Sequence, residues 1–512
     1  MGSRLRRIAT TLPPPAVDLS ADRPQSVYLI GIGGCGMSGV ARMLRARGHA
    51  VEGSDQTESP VTRALAAEGF RVGFDQQTPW IPEGCELVIA SAAVRPDHPQ
   101  ILEAQRRGVP AIFYAEALGA LMAPAMGVAV AGTHGKSTTT AMLGHTLAAC
   151  GLDPSVIVGA NAPSFGGTGF RVGSEQIPAG PLAGGPGVMV AEACEYNRSF
   201  LNLRPRVASI SSVEADHLDV YGSIDQVVEA FHEFATLLPA DSADPRAAGR
   251  LLIAHDAAHR REVTKGLACR VETIGLNPEA DWHVAIDPRS AEVTLREHGR
   301  VRANFRSPMP GVHSALNAST AVVLALWLGA DPADATGAIA RFPGLDRRLQ
   351  RLPDRAVAGG SVRVYDDYGH HPTEIDLTLR AIRAHERPEA RGGRLVCVFQ
   401  PHQHSRTRFL LDEFATAFER ADMVIVPHIY FVRDSEAEKQ RVSAADLVDR
   451  LLDRGVRAMH LYPFEAIVDH LRHTCREGDV VVVMGAGPVW QVAHAFAGEV
   501  EADLPEPKAA TA

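Results

Sequence analysis

The stretch "VAVAGTHGKSTTTAML" at residues 128–143 joins an apolar run to a glycine-containing turn and then to a segment of helical character. Gly132 and Gly135 permit backbone conformations that a Cβ would obstruct. Lys136 adds a cation and Ser137 a hydroxyl at the start of the helix, where free N–H groups and the helix dipole meet an anion. The strict phosphate-loop pattern requires one further glycine that this chain lacks. The stretch therefore predicts a variant phosphate-binding loop, with the lysine on the β/γ-phosphates and the serine on magnesium.

The chain has 512 residues, of which 46% are hydrophobic and 22% charged, as in an ordinary soluble protein. This length predicts two to four domains and an ample core. The seven cysteines show no C-x-x-C spacing, so neither a zinc cage nor a disulfide framework is indicated, and a cytoplasmic location is expected. The net charge of −9 argues against a general nucleic-acid binder. No apolar run reaches the ~18 residues needed to span a bilayer, so no membrane partner is expected.

Apolar runs alternate with helical segments in three successive blocks. The first block opens with "SVYLIGIGGCGMSGVARMLRARGHAVEGSD", the second at the phosphate loop, and the third after "FPGLDRRLQRL". This alternation predicts an α/β protein with mostly parallel sheets and right-handed crossovers. The glycine- and proline-rich residues 159–187 predict a long loop or flap. The expected divisions are a disordered tail at 1–24, domains at 25–124, 125–345 and 346–498, and a second disordered tail at 499–512.

A second glycine loop, "GIGGCG", lies between the first strand and the first helix. Gly31, Gly33 and Gly36 match G-x-G-x-x-G, and Asp55 lies roughly 20 residues beyond, at the acidic position that often contacts a ribose. The pattern predicts a diphosphate at the helix N-terminus. By itself it also fits a nicotinamide-binding domain, or a tight turn needed only for packing.

Polar side chains end two apolar runs of the second block. Glu192 ends the run in "GVMVAEACEY", and His217 follows the run in "RVASISSVEADHLD". Because ligands collect at the carboxyl ends of parallel strands, this pair predicts a magnesium site near Lys136. Asp216 and Asp219 are expected to be structural and to orient the histidine.

The third block concentrates Asp, Tyr, His and Arg in two short stretches. These are "YDDYGHHPTEI" at residues 365–375 and "FQPHQHSRTR" at residues 399–408. Such a density of polar groups at strand ends is hard to explain by solvation alone. Arg406 is a candidate to bind a carboxylate.

Eight segments, in order along nearly the whole chain, resemble the Mur ligase family of peptidoglycan synthesis. They are "GIGGCGMSGVA", "AGTHGKSTTTAM", "EACEYNRSFLNLRP", "EADHLDVYGS", "MPGVHSALNAS", "FPGLDRRL", "DDYGHHPTEID" and "FQPHQHSRTR". The resemblance implies three domains: a Rossmann-like domain for a UDP-sugar, a central P-loop ATPase-like domain, and a C-terminal Rossmann-like domain for the amino acid. It reassigns the first glycine loop to a UDP diphosphate.

The resemblance also implies the reaction. The family transfers the γ-phosphate of ATP to a substrate carboxylate, and an amine then attacks the acyl phosphate. The branch indicated joins L-alanine to the lactyl carboxylate of UDP-N-acetylmuramate, with ATP and Mg2+ as cofactors and a monomer or weak homodimer as the expected state. The alternative within the family is a recycling ligase that adds a murein tripeptide to UDP-N-acetylmuramate. Outside it, the alternatives are a nicotinamide oxidoreductase and a non-catalytic nucleotide-binding module.

The resemblance assigns site residues in five groups. The catalytic residues would be Lys136, His370, Asp367 and Arg406. The ATP-binding residues would be Gly132, Thr133, His134, Gly135, Lys136, Ser137, Thr138, Asn317 (on adenine) and Arg348. The UDP-sugar-binding residues would be Gly31, Gly33, Gly34, Gly36, Asp55 and Ser91. The amino-acid-binding residues would be Tyr368, His370, His402 and Arg406, and the metal ligands Ser137, Glu192 and His217.

Two positions depart from the family pattern in places that bear on the site. Cys194 stands where the family often has Asp, which changes the surroundings of a second metal. Gln403 replaces a common Arg, which leaves Arg406 as the candidate carboxylate clamp.

No counterpart of the family's carbamylated lysine follows "DHLDVYGS", as is characteristic of the branch that adds alanine.

Overall fold

The computed structural model describes residues 17–287, 289–432 and 434–499, apart from the side chain of residue 219. Along these residues the chain forms three successive sheets flanked by helices. This confirms the predicted three-domain α/β fold. Each sheet falls within one predicted domain, while the domain limits themselves stay predictions.

The first sheet consists of five parallel strands in the order β3-β2-β1-β4-β5. Its strands are β1 (Ser26–Ile30), β2 (Ala50–Ser54), β3 (Arg71–Gly73), β4 (Leu87–Ala90) and β5 (Ala111–Phe113). Its helices are α1 (Cys35–Ala46), α2 (Pro60–Ala67), α3 (Pro99–Arg106) and α4 (Tyr114–Met122). The glycine turn joins β1 to α1, as predicted.

The central sheet has ten strands in the order β15-β14-β13-β12-β11-β10-β6-β9-β7-β8. Its strands are β6 (Met126–Ala131), β7 (Ser155–Ala162), β8 (Thr168–Arg171), β9 (Val188–Glu192), β10 (Val207–Ile210), β11 (Arg250–Ala254), β12 (Arg270–Gly275), β13 (Trp282–Ile286), β14 (Glu292–Glu297) and β15 (Arg300–Arg306). Its helices are α5 (Lys136–Ala149), α6 (Leu218–Tyr221), α7 (Ile224–Thr236), α8 (Arg260–Thr264), α9 (Val312–Trp327) and α10 (Pro332–Ile339), with 3-10 turns at Pro163–Phe165 and Tyr196–Asn202.

The middle of this sheet positions the phosphate loop. Strands β10, β6 and β9 are parallel neighbours, and all their residues except Glu192 at the end of β9 are buried. Strands covered on both faces read as continuous apolar runs rather than alternating ones. Their carboxyl ends meet at one edge, so the loop after β6 lies between the residues that follow β9 and β10.

The third sheet has six strands in the order β16-β17-β21-β18-β19-β20, parallel except for the β16–β17 pair. Its strands are β16 (Gln350–Val357), β17 (Gly360–Asp367), β18 (Leu395–Phe399), β19 (Met423–Val426), β20 (Ala458–His460) and β21 (Val480–Met484). Its helices are α11 (Pro372–Glu386), α12 (His404–Phe409), α13 (Leu411–Ala417), α14 (Glu436–Lys439), α15 (Ala444–Asp453), α16 (Phe464–Thr474) and α17 (Trp490–Ala497), with a 3-10 turn at Pro388–Arg391.

Two large apolar cores extend across the domain limits. One combines first-domain residues such as Leu29 and Val40 with central residues such as Phe231. The other combines central residues such as Leu143 with C-terminal residues such as Phe399. The three domains therefore pack directly on one another, which brings their polar edges to a common centre.

The predicted long loop at residues 159–187 is wrong in its first part. Residues 159–162 complete β7, and β8 pairs antiparallel with it at the edge of the central sheet. Gly166 and Gly167, both at positive φ, lie in the turn of the hairpin between β7 and β8. A glycine-rich segment with short strands resembles a loop in sequence because its edge strands carry little alternation.

The predicted N-terminal disordered tail is wrong at its C-terminal end. Leu19 is 1% exposed and lies in the core of the first domain. Its carbonyl oxygen accepts a hydrogen bond from Arg47 Nη1 at 3.2 Å. A single leucine among polar residues carries no periodic signal, so the sequence did not reveal this anchor. Residues 1–16 and 500–512 of the two predicted tails lie outside the described residues.

Within the described part of the chain, no helix combines the length and apolar character needed to cross a bilayer.

Candidate active site

The glycines of the phosphate loop are required by close contacts as well as by their backbone conformation. Gly132 has φ 126° and Gly135 has φ 79°. A Cβ on Gly132 would lie 2.1 Å from Ser211 Oγ, and one on Gly135 would lie 2.6 Å from Asn317 Oδ1. The loop is thus held tightly between β10 and α9, and Lys136 begins α5 directly after it.

Lys136 is held by oxygen acceptors on both sides. Its Nζ donates to Gly132 O at 2.7 Å, Thr133 O at 3.0 Å and Glu195 Oε1 at 3.0 Å. Burial lowers the pKa of Lys136, but the Glu195 carboxylate outweighs it and the pKa lies above its usual value. The ammonium is therefore charged and fixed at the mouth of the loop. Glu195 was missed by sequence reasoning, because a single Glu next to Cys194 has no signature of its own.

The three predicted metal ligands, Ser137, Glu192 and His217, line the larger of two adjoining cavities. Ser137 Oγ donates to Glu192 Oε1 at 3.1 Å, and Glu192 Oε2 accepts the Gly159 N–H at 2.7 Å. His217 has φ 53° and faces the same cavity. Burial lowers the pKa of His217, so a ring nitrogen keeps a lone pair at neutral pH. A hydroxyl, a carboxylate and a neutral imidazole form a donor set that fits a hard divalent cation.

The smaller of two adjoining cavities, of about 410 Å³, lies on the sheet side of the phosphate loop. Its apolar wall includes Ile274, Leu276 and Met309, and Asn317 contributes an amide to its lining. An apolar slot with one amide suits a flat heterocyclic base. Asn317, which is predicted to bind adenine, lines this cavity, and the contact with adenine stays a prediction.

The larger cavity, of about 810 Å³, connects all three domains. It extends from Cys35 and Ser38 on α1, past Lys136, to His370 and Arg406. The two cavities share part of their lining, namely Gly135, Thr138, Arg348 and Glu374. A group held in the smaller cavity therefore abuts a group held in the larger one at the phosphate loop.

The six residues predicted for the UDP-sugar lie together around the first glycine turn. Asp55 Oδ2 accepts the Gly33 N–H at 2.8 Å, so its carboxylate holds the turn itself. A Cβ on Gly36 would lie 2.4 Å from the Tyr114 hydroxyl, and one on Gly31 2.9 Å from Ser91 Cβ. None of the six lines either of the two cavities, whose first-domain wall is instead formed by residues of α1 and α2.

Asp367 and His370 are positioned by the backbone around them. Asp367 Oδ2 accepts the Leu349 N–H and Oδ1 accepts the Gly369 N–H, both at 2.7 Å, and burial raises the pKa of Asp367 to about 6. His370 Nδ1 lies 3.1 Å from Tyr368 O, and burial lowers the pKa of His370 to about 4. Since Nδ1–H donates to that carbonyl, Nε2 has a free lone pair.

Arg406 is already paired in this structure. Its Nη2 donates to Asp216 Oδ1 of the central domain at 2.8 Å, and its Nη1 lies 3.3 Å from His402 Nδ1. Burial raises the pKa of Asp216, but Arg406 and the neighbouring histidines outweigh it and hold the pKa well below its usual value. Asp216 thus does more than orient His217, 3.6 Å away: it joins two domains.

The side chain of His134 lies between two carboxylates. Its Nδ1 is 3.2 Å from Glu374 Oε1 of the C-terminal domain, and its Nε2 is 3.4 Å from Glu214 Oε2 of the central domain. Burial lowers the pKa of His134, but these two carboxylates raise it further, to about 9. Sequence reasoning missed both glutamates, although Glu374, three residues after His371, matches a helix-capping pattern that could have drawn attention to it.

The two departures from the family pattern both face the larger cavity. Burial raises the pKa of Cys194 to about 11, so a neutral thiol stands where a carboxylate is common. Gln403 is 5% exposed, has φ 70°, and its backbone N–H donates to Tyr430 O at 3.1 Å. Neither residue therefore adds a charge to the cavity.

Three family models match the chain in succession. Residues 26–125 match "Mur ligase family, catalytic domain", residues 130–325 match "Mur ligase middle domain", and residues 347–487 match "Mur ligase, glutamate ligase domain". These segments correspond to the three sheets.

Curated relatives match over nearly the full length. A UDP-N-acetylmuramate–L-alanine ligase of Caldanaerobacter subterraneus subsp. tengcongensis is 35% identical over 94% of this chain and 99% of that protein. Proteins with the same description are 39% identical in Rubrobacter xylanophilus, over 90% of this chain and 97% of that protein, and 40% identical in Kineococcus radiotolerans, over 91% and 94%.

Solved structures agree in fold. A UDP-N-acetylmuramate–alanine ligase from Thermotoga maritima has a TM-score of 0.71 at 24% identity, covering 93% of this chain and 98% of that one. A murein peptide ligase from Psychrobacter arcticus has a TM-score of 0.65 at 22% identity, covering 93% and 99%. With its three domains, its variant phosphate loop and these full-length relatives, the chain belongs to the Mur ligase family.

Proposed function

We propose that this protein is an ATP-dependent ligase that joins L-alanine to the lactyl carboxylate of UDP-N-acetylmuramate, a step in making the peptidoglycan precursor. Relatives at 35–40% identity that carry this description support the assignment. The observation that carries it is the position of Lys136 on the larger cavity, beside residues of all three domains and next to the base-sized slot.

The chemistry begins with an unreactive acid. A carboxylate oxygen of the sugar attacks the γ-phosphorus of ATP, the bond to the β-phosphate oxygen breaks, and ADP leaves. The amine of alanine then attacks the carbonyl carbon, inorganic phosphate departs, and the amine loses its proton. Lys136 offsets the repulsion between carboxylate and triphosphate, so catalysis depends chiefly on electrostatics and positioning.

Magnesium belongs to the same proposal. Ser137, Glu192 and His217 would hold it, because they present a hydroxyl, a carboxylate and a neutral imidazole to the cavity. The ion would supply positive charge against the phosphate oxygens. Ser137 and Glu192 are already oriented toward each other by their hydrogen bond.

The amino-acid end of the cavity offers groups for both halves of a zwitterion. Arg406 suits the carboxylate, and Tyr368 and His402 line the pocket beside it. The Asp216 carboxylate that now pairs with Arg406 suits the ammonium. His370 Nε2 has the lone pair needed to accept the proton that the amine must lose.

The remaining assignments follow from these substrates. Residues 25–124 would hold the UDP-sugar, 125–345 ATP, and 346–498 the amino acid. All seven cysteines are free thiols, which supports a cytoplasmic site of action. A monomer or weak homodimer is sufficient, because one chain contributes every proposed group.

The test is phosphate release with UDP-N-acetylmuramate, ATP and Mg2+, with either L-alanine or the murein tripeptide as the amine. We expect release with L-alanine, together with a product that contains one added alanine by mass spectrometry. Release with the tripeptide alone would replace the proposal by the recycling ligase, whose solved relative shares this fold. Release with neither amine would reject both.

A further inference from the structure

The first turn of α11 docks on the phosphate loop through two adjacent side chains. Glu374 Oε1 lies 3.2 Å from His134 Nδ1, and Thr373 Oγ1 donates to Glu214 Oε2 at 2.8 Å. His134 Nε2 completes the contact, 3.4 Å from the same Glu214 oxygen. A closed ring of contacts thus joins the C-terminal and central domains beside the nucleotide loop.

The second oxygen of Glu374 acts within the C-terminal domain. Glu374 Oε2 accepts the N–H of His370 at 2.9 Å and that of His371 at 3.2 Å. His370 lines the larger cavity at its amino-acid end. One carboxylate therefore contacts the phosphate loop with one oxygen and fixes the backbone of an amino-acid-site residue with the other.

The contact between the two domains needs the charges of His134, Glu214 and Glu374 together. Glu214 and Glu374 come from different domains and would repel each other if nothing lay between them. The imidazolium of His134 lies between the two carboxylates, and its side chain is only 14% exposed. Charge-assisted hydrogen bonds in such a setting are about twice as strong as neutral ones.

The same cluster is poorly suited to a metal ion. His134, Glu214 and His371 have ligand atoms within 4.8 Å of one another. However, the Thr373 N–H donates to His371 Nδ1 at 3.3 Å, which leaves the hydrogen of a neutral ring on Nε2. Both histidines then present N–H groups rather than lone pairs, so the arrangement favours an ionic bridge.

We propose that Glu374 is a positioning residue that couples closure of the C-terminal domain on the phosphate loop to the placement of His370 in the amino-acid site. This inference rests on the proposed ligase function and deepens it. Glu374 lines both cavities, which is where such a coupling has to act. The amine then meets the acyl phosphate only in the closed arrangement.

The experiment compares Glu374→Gln with wild type in the full chain. Gln keeps an acceptor for the His370 and His371 N–H groups and so preserves the helix start, but it loses the charge that attracts His134. We expect kcat to fall roughly ten- to hundredfold, the range for loss of a charge-assisted hydrogen bond. The KM for UDP-N-acetylmuramate should stay unchanged, because among the described residues the Glu374 carboxylate bonds only to His134, His370 and His371, none of which is in the first domain.

Two further measurements separate positioning from a general structural effect. In small-angle scattering with an ATP analogue and UDP-N-acetylmuramate, Glu374→Gln should compact less than wild type. In a double-mutant cycle, adding His134→Gln to Glu374→Gln should cost little more than either change alone. The matched control is Asp376→Asn on the same helix, since Asp376 pairs only with the exposed Arg380 among the described residues and should behave as wild type.

Wild-type kcat and compaction in Glu374→Gln would overturn the proposal, as would fully multiplicative losses in the double mutant. Failure of the ligase proposal is a different result. It would appear as no phosphate release from wild type with either amine, while the scattering comparison would still report on the bridge.

Discussion

Lys136 illustrates how a single side chain is prepared for its ligand. Its ammonium is bonded to two loop carbonyls and to Glu195, which is 2% exposed. A free lysine would lose rotamer entropy on binding phosphate. Here that loss has already occurred on folding, so a triphosphate bound as proposed would meet a fixed cation.

We expect Lys136→Ala to abolish phosphate release, because among the described residues no other lysine faces the two cavities. UDP-N-acetylmuramate should still bind, since its proposed domain is separate. Coupled assay of ADP formation and a calorimetric titration with the UDP-sugar measure the two properties. Normal turnover in this variant would contradict the role assigned to the lysine.

Some residues of the candidate site can be predicted from the sequence, and others cannot. Lys136 and Ser137 are predictable as candidate site residues because both belong to one contiguous sequence motif, the phosphate loop. Glu195, Glu214 and Glu374 were missed because each acts on a partner far away in sequence, and a single Glu has no local signature. The orientation of His134 was likewise unpredictable, since it depends on carboxylates 80 and 240 residues distant.

At the level of elements, helix α4 is held against the central domain by a glycine. A Cβ on Gly119 would lie 2.0 Å from Asn202 O, at the end of the 3-10 turn that starts next to Glu195. Backbone oxygen cannot move aside as a flexible side chain can. The spacing between α4 and this turn therefore depends on the absence of a side chain.

We expect Gly119→Ala to destabilise the protein by about 1–3 kcal/mol, the usual cost of overpacking. Gly337→Ala on α10 is the matched control, since its Cβ would meet only Arg341 Nη1, at 3.5 Å. That change should stabilise by roughly 0.5–1 kcal/mol, because Ala favours a helix more than Gly does. Thermal unfolding of the two variants should shift in opposite directions; equal shifts would refute the packing argument.

Elements were predicted well where strands are buried and poorly where they lie at edges. Strands β6, β9 and β10 appeared as apolar runs because helices cover both faces. The sequence predicts a loop where the β7–β8 hairpin forms and a disordered tail where Leu19 packs, because neither stretch has a repeating pattern. The fold class followed from the alternation of strands and helices, whereas the docking of the domains did not.

At the scale of the whole molecule, buried ionic contacts join the central and C-terminal domains beside the two cavities. His134 with Glu214 and Glu374 forms one, and Arg406 with Asp216 forms another. Both join the central and C-terminal domains. The interface between these two domains therefore combines a shared apolar core with charged contacts at its polar edge.

The His134 bridge gives the molecule a pH dependence with a definite sign. The pKa of His134 is raised from 6.5 to about 9, with Glu214, Glu374 and the His371 ring facing it. Its stabilisation is therefore complete below about pH 6.5 and is lost as the pH rises through about 9. The contribution is at most about 3 kcal/mol.

We expect wild type to unfold at a higher temperature than His134→Gln at pH 6.5, and this advantage to disappear by about pH 10. Thermal scans of both proteins across this range measure it. An advantage that grew with pH would show that the imidazole is neutral in the folded protein.

The wall common to the two cavities has a consequence for inhibitor chemistry. A heterocycle seated against Asn317 and an anionic fragment seated near His370 would meet at the shared lining, which includes Gly135 and Arg348. A short tether across that wall would give the second fragment a high effective concentration once the first has bound. Two weak fragments, joined there, would make one potent bisubstrate compound.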